Sequence, residues 1–160
     1  MEDLDQLYDQ HKFAAAKINL NICESQGELY SYVYGLQFDI PVFSELFLRS
    51  DFCRNCFDTL YSRHHDMFGH ENWGYIKDEI GDKIPKISND TILLDECAYW
   101  IGYIYREIVI ETKIPSAKIV EIVPFDDIRS FYFTTFEDDF EDIARILCNK
   151  YDLERINPYI

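Results

Sequence analysis

The chain has 160 residues, about half of them apolar, and carries 30 acidic against 15 basic residues for a net charge of −15. A chain of this length suits a single α-helical domain spanning residues 1–160, able to bury a core without disulfide or metal staples. The charge disfavours nucleic-acid phosphate and anionic membrane as partners, since binders of either concentrate Lys and Arg, and it favours a basic protein partner.

The first helix is predicted over residues 3 to 18, with Leu4, Leu7, Tyr8, His11 and Ala15 on one side and the Ala14-Ala15-Ala16 run favouring helix. The start, Met1-Glu-Asp-Leu-Asp5, is acidic where a secretory or mitochondrial signal is basic, and no apolar run reaches the length of a membrane span. A cytoplasmic protein is therefore expected. Residues 28–36 read two ways: Tyr30-Ser-Tyr-Val-Tyr34 alternates like a strand, yet Glu28 to Leu36 also fits two helical turns closed by Gly35.

Asp39 is placed to cap the next helix, with Pro41 in its first turn and Val42, Phe43, Leu46 and Phe47 as its buried stripe. Ser50 caps another, where Phe52, Cys53, Cys56, Phe57 and Leu60 recur at helical steps. Residues 64 to 74 read as a loop, followed by a short helix from Trp73 to Ile80 that Gly81 ends. Asn89 or Asp90 then opens a long helix over residues 90–112, with a core stripe of Leu93, Cys97, Ile101, Ile104 and Ile108. Ala98 and Gly102 form a small-residue seam on it that lets a neighbouring helix come close. Short helices are predicted at 117–123 and 126–133, divided by Pro124. A last helix is capped by Thr135, with Asp138 completing a capping-box spacing and Phe140, Ile143, Ala144, Leu147, Cys148 and Tyr151 inside. The tail beyond it is polar. The fold class this predicts is all-α, an irregular bundle of about six or seven helices around the central apolar helix.

Five cysteines are an odd count, and Cys97 and Cys148 sit in apolar stripes, which suits a reducing compartment. Cys53-Arg-Asn-Cys56 followed by His65 and His70 could form a zinc site, although eight residues between Cys56 and His65 are fewer than in a zinc finger and both cysteines continue an apolar helix face. Nucleophile elbows and phosphate-binding loops are missing, so no enzyme and no cofactor is expected, although His64, His65 or His70 with nearby acids could in principle supply a base. The stretch from Thr112 to Ser130 has a helix-turn-helix outline but offers only Lys118 and Arg129 amid acids, against a DNA-reading role. Asp126, Asp127, Glu137, Asp138, Asp139, Glu141 and Asp142 crowd one region. They fit a patch for a basic partner or an acidic first helical turn better than a calcium loop, whose glycine and alternating ligands are lacking.

Two stretches carry a family resemblance. Leu36 to Cys53 is similar to an early helix in a loosely defined group of small bacterial proteins, and Tyr99-Trp100-Ile101-Gly102 resembles that group's Tyr-Trp-x-Gly motif, followed by a break and a short Ser-x-x-Ile helix at Thr112 to Ile119. About half the chain is covered. Asp95-Glu-Cys ahead of Tyr99 and Glu107-Ile-Val-Ile after Arg106 depart from the group's pattern. Members tend to be encoded beside ADP-ribosyltransferase-like or other toxin-like proteins, so the resemblance implies an antitoxin or immunity role by association, with no catalytic residue to carry over. The expectation is a non-enzymatic binding protein for a basic, toxin-like partner, and the alternative is an acidic nucleic-acid mimic that occupies a basic groove. Tyr99, Tyr103 and Arg106, which packing does not demand, join the acids of residues 126–142 as candidate partner-binding residues.

Overall fold

A computed structural model describes residues 4–94, 96–134 and 139–156, and their side chains over 19–94, 96–132 and 139–154. The described residues form an all-α architecture: α1 (Leu4–Gly35), α2 (Ile40–Leu48), α3 (Asp51–Cys56), α4 (Gly69–Ile80), α5 (Cys97–Thr112), α6 (Ser116–Ile122), α7 (Phe125–Thr134), α8 (Phe140–Lys150) and α9 (Leu153–Ile156). A lone antiparallel bridge joins Phe38 to Lys86. No helix among the described residues is long and apolar enough to cross a membrane.

The expected break near residue 18 does not occur, and α1 continues to Gly35. Ile22, Gln26, Leu29, Tyr30 and Val33 are buried at three- and four-residue steps, and this helical face overrides the local alternation of Tyr30 to Tyr34. Asp39 caps α2 by accepting from the Val42 amide at 3.0 Å, and Ser50 caps α3 by accepting from Cys53 at 3.0 Å, as their positions before apolar runs predict. Because α3 stops at Cys56, Leu60 leaves the expected stripe and is 82% exposed. The supposed loop of 64–74 is a tight turn, Arg63–Asp66, followed by α4 from Gly69. Glycine is required there, since a Cβ would collide with the Glu28 carbonyl of α1.

The largest correction concerns α5, which begins at Cys97 rather than near residue 90. The Tyr34 hydroxyl donates to the Leu93 carbonyl and accepts from its amide, both at 2.9 Å, and this clamp holds the preceding segment extended. Glu96 then turns the chain at a left-handed φ of 65°. The tail also differs from expectation, since Leu153–Ile156 adds a short helix and Leu153 is buried. Thr135 and Asp138, the predicted caps, lie outside the described residues, and Asp139 caps α8.

α5 is central, as predicted, and its most extensive partner is α1. Gly27 sits against Tyr99, Gln26 against Gly102 and Cys23 against Glu107, so the two helices run antiparallel. A Cβ at Gly102 would lie 2.7 Å from the Tyr30 ring, and one at Gly27 would lie 2.8 Å from the Tyr99 ring. The seam inferred from Gly102 is thus matched by a second glycine on α1. Beside it, Tyr30, Phe43, Phe47 and Phe57 pack largely edge to face, with the Tyr30 hydroxyl bonded to Ser44 at 2.8 Å.

Candidate partner-binding face

Arg106 does not stand on a surface, and its expected role as a direct partner contact is corrected. It is 1% exposed and serves as the polar hub between α1, α3, α5 and α6. Its Nε donates to Gln26 at 2.7 Å, one terminal nitrogen reaches Asp58 at 2.7 Å, and the other reaches Ser116 at 2.9 Å and the Cys53 sulfur at 3.3 Å. Ser116 donates to Asp58 through its hydroxyl and, at 3.0 Å, through its amide. Burial alone would lower the guanidinium's pKa, but the neighbouring Cys53 and the Asp58 carboxylate outweigh it and the net shift is upward. Gln26 also donates to the Gly102 carbonyl at 2.9 Å, which ties the hub to the glycine seam.

The other two α5 candidates lie apart from this hub, Tyr99 against Gly27 in the seam and Tyr103 against Phe140. Tyr103 is buried beneath Phe140 of α8, with ring centroids 4.1 Å apart, so it supports the face rather than presenting itself. Tyr99 is half-buried, and burial together with the nearby Glu24 and Glu28 pushes its phenol up to about 12. The Tyr103–Phe140 stack brings the start of α8, with exposed Asp139 and Glu141, to this side of α5. Two acidic groups join α5 and α8 there to α1: Glu24 with Glu28, and Glu107 with Glu111. Each pair is spaced four residues apart on one helix, where like charges repel. The pKa of Glu107 is raised by burial and then by Glu141 and Asp139, while that of Glu111 is raised by burial and then by Glu107. Glu28 is raised by burial and then by Glu24. Among the described residues, Arg145 of α8 is the cation beside these acids: it pairs with Asp142 at 3.4 Å and Glu141 at 4.0 Å and offsets part of the upward shift of Glu111. Glu24, Glu28, Glu107 and Glu111 have no ion-pair partner among the described residues.

The remaining predicted acids divide between two places. Asp126 and Asp127 lie in the first turn of α7, where Asp127 pairs with Lys150 at 3.1 Å. Glu137 and Asp138 lie outside the described residues. Glu24, Glu28, Glu107 and Glu111 were not among the predicted partner-binding residues. The usable signal was the four-residue spacing of like charges, which a helix selected for stability alone avoids.

Cys53, Cys56, His65 and His70 are not brought together. Cys53 faces Arg106, His65 packs on Phe57, and exposed His70 stacks on Phe68 at 5.9 Å. No group of three or more His, Cys, Asp or Glu among the described residues could hold a metal ion. The free thiols of Cys23, Cys53, Cys56, Cys97 and Cys148 are all pushed upward by burial, Cys53 and Cys97 to about 11 and Cys148 to about 12, so none is poised as a thiolate. Comparison with protein-family models, curated proteins and solved structures finds no match.

Proposed function

We propose that this protein is a non-enzymatic cytoplasmic binding protein that engages a basic protein partner through the face formed by α1, α5 and the start of α8. Two clusters of carboxylates carry the reading: Glu24 repels Glu28 beside half-buried Tyr99, and Glu107 is crowded by Glu111, Asp139 and Glu141, with Arg145 as a partial counter-charge to Glu111 and Glu141. A helix pays a few tenths of a kcal/mol for each such pair, and a complementary cationic surface would recover it on binding. Thiols held protonated by burial support a binding role over nucleophilic catalysis. The antitoxin or immunity form of the proposal, with a toxin-like partner, rests on the resemblance of the Tyr99 to Gly102 motif and its gene neighbourhoods.

The experiment is co-expression with the product of the adjacent gene, followed by size exclusion at low and high salt. Co-elution that weakens as salt rises supports the proposal, because steering and rim charges are screened beyond roughly 10 Å at 0.1 M ionic strength. Separate elution at low salt counts against it.

A further inference from the structure

A pocket of about 620 Å³ opens at the end of α5, between α1 and the segment that leaves α3. Its walls come from three parts of the chain: Ile22 of α1, Phe57 after α3, and Val109, Ile110, Ile114 and Pro115 where α5 gives way to α6. Asp58 ties two of these walls together, accepting from the Ser116 amide at 3.0 Å and from Arg106 at 2.7 Å. The pocket is therefore held in shape before any ligand arrives. Its size lies within the range of small-molecule sites, roughly 300–1,000 Å³, and its lining is mainly apolar as theirs is. At the rim, Leu60 and Tyr61 are 82% and 80% exposed. They leave large apolar surface in water that the body of a ligand would cover.

The charge of the pocket runs against that of the chain. Asp58, Arg106 and Lys113 are its charged lining residues, one acid against two bases, on a chain with 30 acidic and 15 basic residues. Arg106 and Asp58 neutralise each other, which leaves Lys113. Lys113 is exposed and forms no ion pair with a described side chain. Its backbone supplies a second observation. The residue ends α5 at a left-handed φ of 58°, with its amide donating to the Val109 carbonyl at 2.8 Å. Glycine or asparagine closes a helix in that conformation at less cost, so the cap itself does not call for lysine. What lysine adds there is a cation beside an apolar wall.

We propose that this pocket binds a small amphipathic carboxylate, with its hydrocarbon body against Ile22, Phe57, Ile110 and Leu60 and its head paired with the Lys113 ammonium. A neutral hydrocarbon would leave the ammonium unused, and a cationic amphiphile would meet it with like charge. A carboxylate on an apolar body answers both features. The pocket shares no lining residue with the acidic groups of α1, α5 and α8, so the inference stands apart from the basic-partner reading.

The test titrates the full chain with octanoate, octanol and octylammonium, and follows the amides of residues 57–61 and 109–115 by NMR. Saturable shifts confined to these residues are expected, with octanoate binding tighter than octanol and octylammonium weakest. The chain's overall charge draws the ammonium and repels the carboxylate, so a preference for octanoate has to come from the pocket. Lys113→Gly, which suits the left-handed cap, should weaken octanoate about tenfold, the equivalent of about 1.4 kcal/mol, and leave octanol unchanged. Leu60→Ser, at an exposed position, should weaken octanoate and octanol alike by a smaller factor. Octanol or octylammonium binding as tightly as octanoate, shifts that do not saturate or that spread evenly over the chain, or octanoate affinity unchanged in Lys113→Gly would overturn the proposal.

Discussion

Arg106 and Glu107 are neighbours on one helix, and the fold treats their charges in opposite ways. Arg106 is withdrawn from water and met by Asp58, Gln26, Ser116 and Cys53, so each of its nitrogens has a partner. Glu107 is half-buried beside Glu111, Asp139 and Glu141, and it receives one weak hydrogen bond from the Cys23 thiol at 3.2 Å. A charge kept for the fold is neutralised inside the fold. Charges left repelling one another contribute nothing to stability, and their compensation has to come from outside the chain.

The sharpest way to break this contrast is Arg106→Met. It strands Asp58 among buried groups and should cost about 3–5 kcal/mol, read as a large fall in denaturant midpoint. A loss below about 1 kcal/mol would mean that the hub is not structural. Next come Gly102→Ala and Gly27→Ala, each of which forces a methyl against an aromatic ring across the α1–α5 seam and should cost about 1–3 kcal/mol by the same measurement. On the acidic side the sign reverses. The double variant Glu107→Gln, Glu111→Gln should raise stability by about 0.2–0.5 kcal/mol while weakening the partner complex, a combination that a merely structural role would not produce.

The smallest expected effect is in pH dependence. Burial first, and then the Arg106 charge, hold His65 below the ordinary histidine value of about 6.5, with the Cys56 carbonyl and Asp66 opposing and His64 adding a little. The neutral ring is the folded form, so His65 contributes stability that is lost as pH falls from about 6.5 through the lowered value. Glu28, Glu107 and Glu111 act in the opposite sense. Their folded values are raised, so the penalty they impose at neutral pH is relieved as pH falls through those values toward about 4.3. Thermal melts should therefore show a decline below pH 6.5 that His65→Asn flattens, and a gain at lower pH that Glu107→Gln, Glu111→Gln diminishes, leaving the share of Glu28.

Much of the helical framework was legible in the chain. Asp39 and Ser50 stand before apolar runs and cap as short polar side chains do, and the Ile101, Ile104 and Ile108 stripe announces a central helix whatever surrounds it. What could not be read depends on residues far apart in sequence. The start of α5 is set by Tyr34 clamping Leu93, a contact across 59 residues. Arg106 seemed superfluous to packing because Asp58 lies 48 residues away and Gln26 lies 80 away. Tyr103 looked like a surface residue until Phe140 covered it. The acids of residues 126–142 were visible as a run, but α7 and α8 divide them, and the α8 share gains its weight from Glu107 and Glu111 on α5, which no local pattern connects to it.

The most direct test of the central claim is size exclusion of this protein co-expressed with the adjacent gene's product, run at rising salt for the native chain and for the variant carrying Glu24→Gln, Glu28→Gln, Glu107→Gln and Glu111→Gln. The account predicts a complex with the native chain at low salt that dissociates as salt rises, and a weaker or absent complex with a variant that remains folded. A complex indifferent both to salt and to the loss of these four charges, or no complex at low salt, would contradict it.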